Sequence, residues 1–312
     1  MMNPPVYVGF GMLTPVAILV VDELPQHNTG ALISEISEFV FDDAAIVACL
    51  LRQWEIPTGI IGTAVGDDAR GRALAQKLKD WDIQGDVRLS ADIKTPLEVD
   101  VSDRIGARTY FWKRDPQVLA TLDSAALTLL QKARLLYVDW YDGDHIVRAM
   151  VEAARLKIPV FLNMEHGHSD TDLLIRYAGR ATLCQAVTDA AQKEESDPLA
   201  VARKLIRAGV KTALITLAGE GSLVVQGDEI LRIWAPQVPV VDGCGAGATY
   251  SAGFIYGWLQ DWPLETSVRF ATAAASLKVT RSGLEMWPVD VIKKKAGELH
   301  VETSILTQTE KF

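Results

Sequence analysis

Apolar residues recur along this chain in two rhythms, period two and period 3.6, and they alternate in a regular order. Tyr7 to Gly11 is a short apolar run ending in glycine, and Pro15 to Val21 and Ala31 to Val40 follow as extended, β-branched or alternating stretches. Each predicts a strand. Asp42 to Trp54 carries the first clear helical period, and Thr58 to Thr63 predicts a second core strand. The turn Val65-Gly66-Asp67-Asp68 then supplies a capping carboxylate for a helix running to about Trp81. This βαβα order predicts a parallel sheet. Leu97 to Val101 and Arg108 to Trp112, around the turn Ser102 to Ala107, interrupt the order as a β-hairpin, which with Pro15 to Val21 makes a small accessory sheet. The alternation resumes with strand Leu135 to Asp139, helix His145 to Leu156, strands Pro159 to Asn163 and Ala181 to Cys184, helix Pro198 to Ala208 and strand Thr212 to Leu217. Helices from Gly247 to Trp258 and from Leu264 to Thr280 dominate the remainder. With no repeat, low-complexity run or linker, the expectation is a single α/β domain over residues 1–312, with lid strands from about 13–40 and 95–114.

Composition narrows the partners. A chain of 312 residues that is 49% hydrophobic buries a large core. The 31 basic residues against 40 acidic ones leave a formal charge of -9, which argues against nucleic acid and membrane surfaces as partners and makes any phosphate site a local one. Cys49, Cys184 and Cys244 are widely spaced with no paired motif, as suits reduced thiols. Met1 to Pro5 offers no basic stretch before a long apolar run, and Val16 to Val21 is too short to span a bilayer. The expectation is a cytoplasmic protein.

The most informative segment is Val238 to Trp258. An extended run enters Asp242-Gly243-Cys244-Gly245-Ala246-Gly247 and leaves as a helix of small residues, Ala248, Ser251, Ala252 and Gly253. A glycine-rich turn at a helix N-terminus presents amides without intrahelical acceptors at the positive end of the helix dipole, which together attract an anion. A tight turn without a ligand is the other reading of the same spacing.

The string from Asp242 to Phe254 resembles the signature Asp-Thr-x-Gly-Ala-Gly-Asp-x-Phe of the ribokinase-like, PfkB-type sugar kinases, and it lies where that signature lies, in the last third of the chain before two helices. Ile215 to Ser222 is similar to the family's nucleotide-side strand and turn, and Ser267 to Phe270 through Thr280 to Gly283 resembles the helix flanking its adenine pocket. Leu24-Pro25, the run Gly62 to Gly71 and the hairpin fall in family order, so the resemblance covers nearly the whole chain. It implies a three-layer α/β/α fold with a mostly parallel central sheet and a small β-sheet lid. It also implies transfer of a phosphoryl group from ATP, with Mg2+, to a hydroxyl of a small sugar or nucleoside. Gly245, Ala246 and Gly247 would hold the phosphoryl oxygens. Thr216, Ala218, Gly219 and Gly221 would line the nucleotide side, and Asp242 would hold the loop through backbone N–H bonds.

The departures fall on the chemistry. The family's aspartate after Gly-Ala-Gly takes the proton from the attacking hydroxyl; here the position is Ala248. Such a base contributes about 10²–10⁴ in rate, or roughly 3–5 kcal/mol of barrier. Leu13-Thr14-Pro15 stands where the family has an aspartate after the first strand, and Phe41-Asp42-Asp43 where it has a Gly-Gly pair. No Asn-x-x-Glu motif, which helps organise magnesium, occurs around Cys184 to Asp189.

Other side chains are candidates for the missing work. Asp42 and Asp43 open the first helix, as N-caps or as ligand groups. Asp139, Asp142 and Asp144 follow a buried strand, where loops of parallel sheets line ligand crevices. Glu165, His166 and His168 form an incomplete metal set, with Glu165 alone a possible support for magnesium. Lys113 and Arg114 end the hairpin, either solvated or paired with an anionic substrate group. Tyr110 and Trp112 share one face of that strand and Phe111 takes the other, a pattern for sugar stacking or for a homodimer through the lid. Trp140, Tyr141, Trp258 and Trp262 read as packing. Two functions follow from the resemblance: a kinase with a substitute base from Asp42, Asp43 or Glu165, or a catalytically impaired pseudokinase that binds nucleotide or sugar as a sensor or regulatory partner.

Overall fold

The computed structural model describes residues 4–85, 87–103, 107–188 and 197–305. Residues 104–106 of the expected hairpin turn, Asp189 of the motif region and the first three residues of the chain lie outside this set.

In chain order the elements are β1 (Tyr7–Gly11), β2 (Thr14–Val21), β3 (Ile33–Phe41), α1 (Asp43–Gln53), β4 (Thr58–Gly62), β5 (Val65–Gly66), α2 (Ala69–Asp80), β6 (Leu89–Ser90), β7 (Leu97–Ser102), β8 (Arg108–Lys113), α3 (Pro116–Ala120) and β9 (Leu135–Asp139). There follow α4 (Val147–Arg155), β10 (Val160–Glu165), α5 (Thr171–Tyr177), β11 (Leu183–Val187), α6 (Pro198–Arg207), β12 (Thr212–Thr216), β13 (Ser222–Gln226), β14 (Glu229–Ile233), α7 (Ala246–Leu259), α8 (Leu264–Lys278), α9 (Val289–Gly297) and β15 (Val301–Ile305). As the sequence predicts, Asp68 caps α2, its Oδ1 accepting the Gly71 amide at 2.9 Å.

Nine strands form one sheet in the order β15-β14-β13-β12-β11-β10-β9-β1-β4. From β12 to β4 every pairing is parallel, which explains why β1, β4, β9 and β11 are continuous apolar runs: both faces are covered. On one face Phe161, Phe254, Phe270, Ile46 and Leu50 pack from the sheet and from α1, α7 and α8. On the other, Leu136, Met150, Leu162 and Leu205 pack from the sheet, α4 and α6. Tyr137 stacks on Phe161 with ring centroids 5.2 Å apart, and the Tyr7 hydroxyl donates to Ala44 O at 2.9 Å, fixing α1 on the sheet.

The sequence reading passes over the end of this sheet. Helices do not dominate after β12: β13 and β14 are an antiparallel hairpin about Gly227, at φ +59°, and β15 pairs with β14 at the edge. Four of the five β15 residues are exposed, so the strand carries no burial period to read. The helix α9 likewise goes unread. The Ala181 to Cys184 strand is displaced to Leu183–Val187, where pairing with β12 carries it to Val187↔Thr216.

A second sheet, in the order β3-β2-β7-β8, stands apart from the first. Its register puts Val16, Ile18 and Val20, Glu98, Asp100 and Ser102, and Arg108, Tyr110 and Trp112 on one face. Ser102 Oγ donates to Asp242 Oδ1 at 2.8 Å and the Cys244 thiol to Asp100 Oδ2 at 2.8 Å, so this face is turned on the glycine loop.

Candidate active site

The glycine loop enters α7 through Gly245, whose φ of +72° is left-handed and strains any residue with a Cβ. The first-turn amides of Gly247 and Ala248 have no intrahelical acceptor. Asp242 organises the loop. It is fully buried, and its carboxylate accepts the Cys244 amide at 2.8 Å, Ser102 Oγ, the Gly283 amide at 3.3 Å and the Lys278 ammonium at 2.7 Å. Lys278 Nζ also donates to Asp242 O at 3.1 Å. These bonds tie the loop to β7, α8 and the turn after it through Asp242. Ala248 is 1% exposed and packed in the core; it contributes a methyl group and no proton acceptor.

From the loop a line of polar side chains crosses the C-terminal ends of the parallel strands. Gln185 on β11 donates to Gly247 O at 3.3 Å and accepts from Ser251 Oγ at 2.6 Å. Its register neighbour Asn163 on β10 donates to Asp43 Oδ2 at 2.9 Å. Next to Asn163 stands Asp139 on β9, whose Oδ2 accepts the Ala44 amide at 3.2 Å. Beyond it Asp142 Oδ2 accepts the Met12 amide at 3.1 Å, where β1 ends.

Asp42 occupies the N-cap position of α1 with extended backbone, but its side chain caps nothing, which overturns the capping reading. The physical reason is that other groups take the work: Asp139 holds the Ala44 amide and the Tyr141 hydroxyl accepts the Asp43 amide at 3.4 Å. Burial pushes the Asp42 carboxyl up to about 7, with Arg114 and the nearby Tyr141 hydroxyl pulling against it and Glu98 and Glu165 adding to it. No donor reaches hydrogen-bonding geometry with either oxygen. Burial first, then neighbouring carboxylates, also raise Asp43, Asp139 and Asp142. Asp100 rises to about 7 through burial.

The other predicted residues divide. Thr216 ends β12 and donates to Ala186 O at 3.3 Å; Ala218, Gly219 and Gly221 form the turn after it, on the same edge of the sheet as the polar line. Gly221 has φ +101°, and a Cβ there would meet Ile233 O at 2.1 Å. Glu165 ends β10 at φ +39°, within electrostatic reach of Asp42 and Asp43. Asp144 is a surface residue paired with Arg176. His168 faces the Val187 carbonyl at 3.0 Å, and no group of three His, Cys, Asp or Glu side chains among the described residues is arranged to hold a metal ion. Lys113 does not reach the site: it is exposed, on the outward face of β8 with Phe111, because side chains alternate along a strand. The inward cations are its neighbour Arg114, paired with Glu98 at 2.7 Å, and Arg108 beside Asp100 and Cys244. Glu98, Asp100, Arg108 and Lys278 escape the sequence reading. The alternation of LEVDVS holds the missed signal, but polar residues on such a strand are ordinarily assigned to solvent.

A large, mostly parallel sheet covered by helices, with a smaller separate sheet beside a glycine loop at a helix N-terminus, is the architecture of the ribokinase class of fold. The structure of a putative ribokinase from Agrobacterium tumefaciens superposes with a TM-score of 0.81 at 18% identity, covering 95% of this chain and 98% of that one. Arabidopsis thaliana ribokinase, complexed with ribose and ATP, superposes with a TM-score of 0.71 at 20% identity over 95% and 99% of the two chains. The pfkB family carbohydrate kinase model matches residues 43–289, and the chain belongs to that family. A nucleoside kinase of Methanothermobacter thermautotrophicus is 26% identical over 278 residues, 86% of this chain and 87% of that protein. An ATP-dependent 6-phosphofructokinase of Thermoanaerobacterium thermosaccharolyticum is 22% identical over 251 residues, 75% and 78% of the two.

Proposed function

We propose that the protein transfers a phosphoryl group from ATP to a hydroxyl of a small sugar or sugar-like substrate, with Asp43 standing in for the base absent at Ala248. The observation that carries this is the buried line from Gly247 through Gln185 and Asn163 to Asp43, which joins the anion loop to an oriented carboxylate. Asn163 fixes the Asp43 carboxyl as an orienting partner fixes a general base, and Arg108 lies close enough to act on both Asp43 and the loop thiol Cys244. The α7 amides would hold the phosphoryl oxygens and Thr216, Ala218, Gly219 and Gly221 the nucleotide. If Mg2+ accompanies the nucleotide, Glu165 would be its support from this chain and the ion would neutralise phosphate charge. The small sheet would act as the lid of a single domain. Its outward face carries Ala17, Leu19, Ile36, Val99 and Phe111, with Ile36 61% and Phe111 58% exposed, and we assign it to a homodimer. A reducing cytoplasm suits the three buried, unpaired cysteines.

Ala248 favours a second reading, a pseudokinase that binds nucleotide without turnover. Calorimetric titration of ATP with magnesium, followed by an ADP-release assay over sugars and nucleosides, separates the two. Turnover abolished by Asp43→Asn supports the kinase; binding without turnover supports the pseudokinase; absence of nucleotide binding overturns both. Where nucleotide and substrate bind without turnover, Ala248→Asp supplies the missing base and raises turnover by about 10²–10⁴.

A further inference from the structure

At the end of the site away from the glycine loop, polar atoms outnumber their partners. Both Asp42 oxygens, Asp142 Oδ1, Asn163 Oδ1 and Thr14 Oγ1 make no hydrogen bond, although all four residues are at most 1% exposed. Their grouping follows from the fold. Asp142 is tied to Met12 and Thr14 lies two residues on, at the start of β2. Thr14 pairs with Phe41, next to Asp42, and Asn163 reaches Asp43. Asp42 lies close enough to raise Asp142, and Arg114 acts on both.

The imbalance has a sign. Except for the Thr14 hydroxyl, which both donates and accepts, these atoms are acceptors only once the two carboxyls are ionised. Asp42, Asp43, Glu98, Asp139, Asp142 and Glu165 gather within electrostatic reach of one another, against the guanidinium groups of Arg108 and Arg114, and Arg114 is already engaged by Glu98. Burying carboxylates without compensating charge is strongly unfavourable. Neutral hydroxyls supply hydrogen bonds to such a cluster but no charge. No group of three His, Cys, Asp or Glu side chains among the described residues is arranged to hold a metal ion. A protonated amine supplies three donors and a positive charge in one small group. Arg114 Nε, an unpartnered donor at the same place, suits a hydroxyl or ring oxygen of the same molecule.

We propose that the substrate is a small amino-bearing polyol, of the amino sugar or aminocyclitol class, whose ammonium lies among Asp42, Asp142 and Asn163 while one of its hydroxyls faces Asp43 and the Gly245–Gly247 loop. The assignment rests on the kinase reading of the site and adds the chemistry of the substrate to it.

Matched pairs test it: glucosamine with glucose, galactosamine with galactose, mannosamine with mannose, and a 2-deoxystreptamine-type aminocyclitol with myo-inositol, each titrated into the full chain at pH 7.5 by calorimetry and thermal shift. ATP binding is measured separately on the same samples. The expected result is that at least one amine binds tenfold or more tightly than its hydroxyl partner, and that Asp42→Asn and Asp142→Asn each weaken that amine at least tenfold while leaving ATP affinity within twofold. Equal binding of amine and hydroxyl, no binding of any amine to a protein that binds ATP, or stabilisation by Mg2+, Mn2+ or Ca2+ alone that Asp42→Asn abolishes, would each overturn the proposal. Amine binding by a protein that does not bind ATP would leave this assignment standing and remove the kinase reading beneath it.

Discussion

Asp42 shows how a residue with an ordinary local role acquires another from its surroundings. Opening a helix after an extended strand, an aspartate is expected to accept first-turn amides, but here Asp139 and Tyr141 reach those amides across the fold. The carboxylate is left buried without a donor, and its proton is correspondingly hard to remove. Its folded pKa is raised to about 7, as is that of Asp100, from about 4 in the unfolded chain. A carboxyl raised in this sense contributes stability below the unfolded value and loses that contribution as pH climbs through the folded value. Asp42 and Asp100 are therefore expected to make the ligand-free protein lose melting temperature between about pH 4 and pH 7, in a thermal scan across that range. Asp42→Asn removes the titrating group, so it flattens part of that slope and raises stability at pH 8 by about 1–3 kcal/mol. A steeper slope in the variant would contradict the account.

At the scale of elements, β7 is the instructive case. Its sequence LEVDVS alternates cleanly, and alternation predicts a half-buried strand, which it is. What alternation does not say is which face is buried. Here Glu98, Asp100 and Ser102 are the more deeply buried face, because the polar partners they need lie off the strand: Arg114 just past the neighbouring strand β8, and the Cys244 thiol and Asp242 from elements distant in sequence. The parallel core strands were legible for the converse reason, since residues buried on both faces leave an unbroken apolar run. Lys278, the last residue of α8, was not legible: its partner is 36 positions away, and nothing local distinguishes a lysine that ends a helix in solvent from one that ends it in a core. The pair is 1% and 0% exposed, so removing one member strands the other. Lys278→Met is expected to destabilise by about 3–5 kcal/mol in urea unfolding, and adding Asp242→Asn to cost less than the sum of the two single changes. Additive losses would mean that the two residues act separately.

For the whole molecule, the order of strands explains why one edge of the sheet carries the candidate chemistry. Parallel strands end on the same side, so β9, β10, β11 and β12 deliver Asp139, Asn163, Gln185 and Thr216 to one crevice from positions scattered over 78 residues of sequence. Individual motifs in the sequence pointed to the loop and to Ala248, but not to this convergence. The outward face of the small sheet makes its own claim at this scale. If it joins two copies, light scattering should give a dimer mass, and Ile36→Glu with Phe111→Glu should yield a monomer that still binds ATP. A monomeric parent protein would reject that assignment.

The bonds that hold Asp242 within the protein have a further consequence. Because the turn before α7 is already fixed by Lys278, Ser102, Cys244 and Gly283, an arriving phosphate meets a rigid cradle and little chain disorder remains to be lost. The amides of Cys244, Ala246 and Thr249, which are bonded within the protein, should then exchange with deuterated water nearly as slowly in the empty protein as in the nucleotide-bound one, whereas those of Gly247 and Ala248 should slow only when nucleotide is bound. If the small sheet opens as a lid over this turn, its fastest-exchanging amides should mark the hinge.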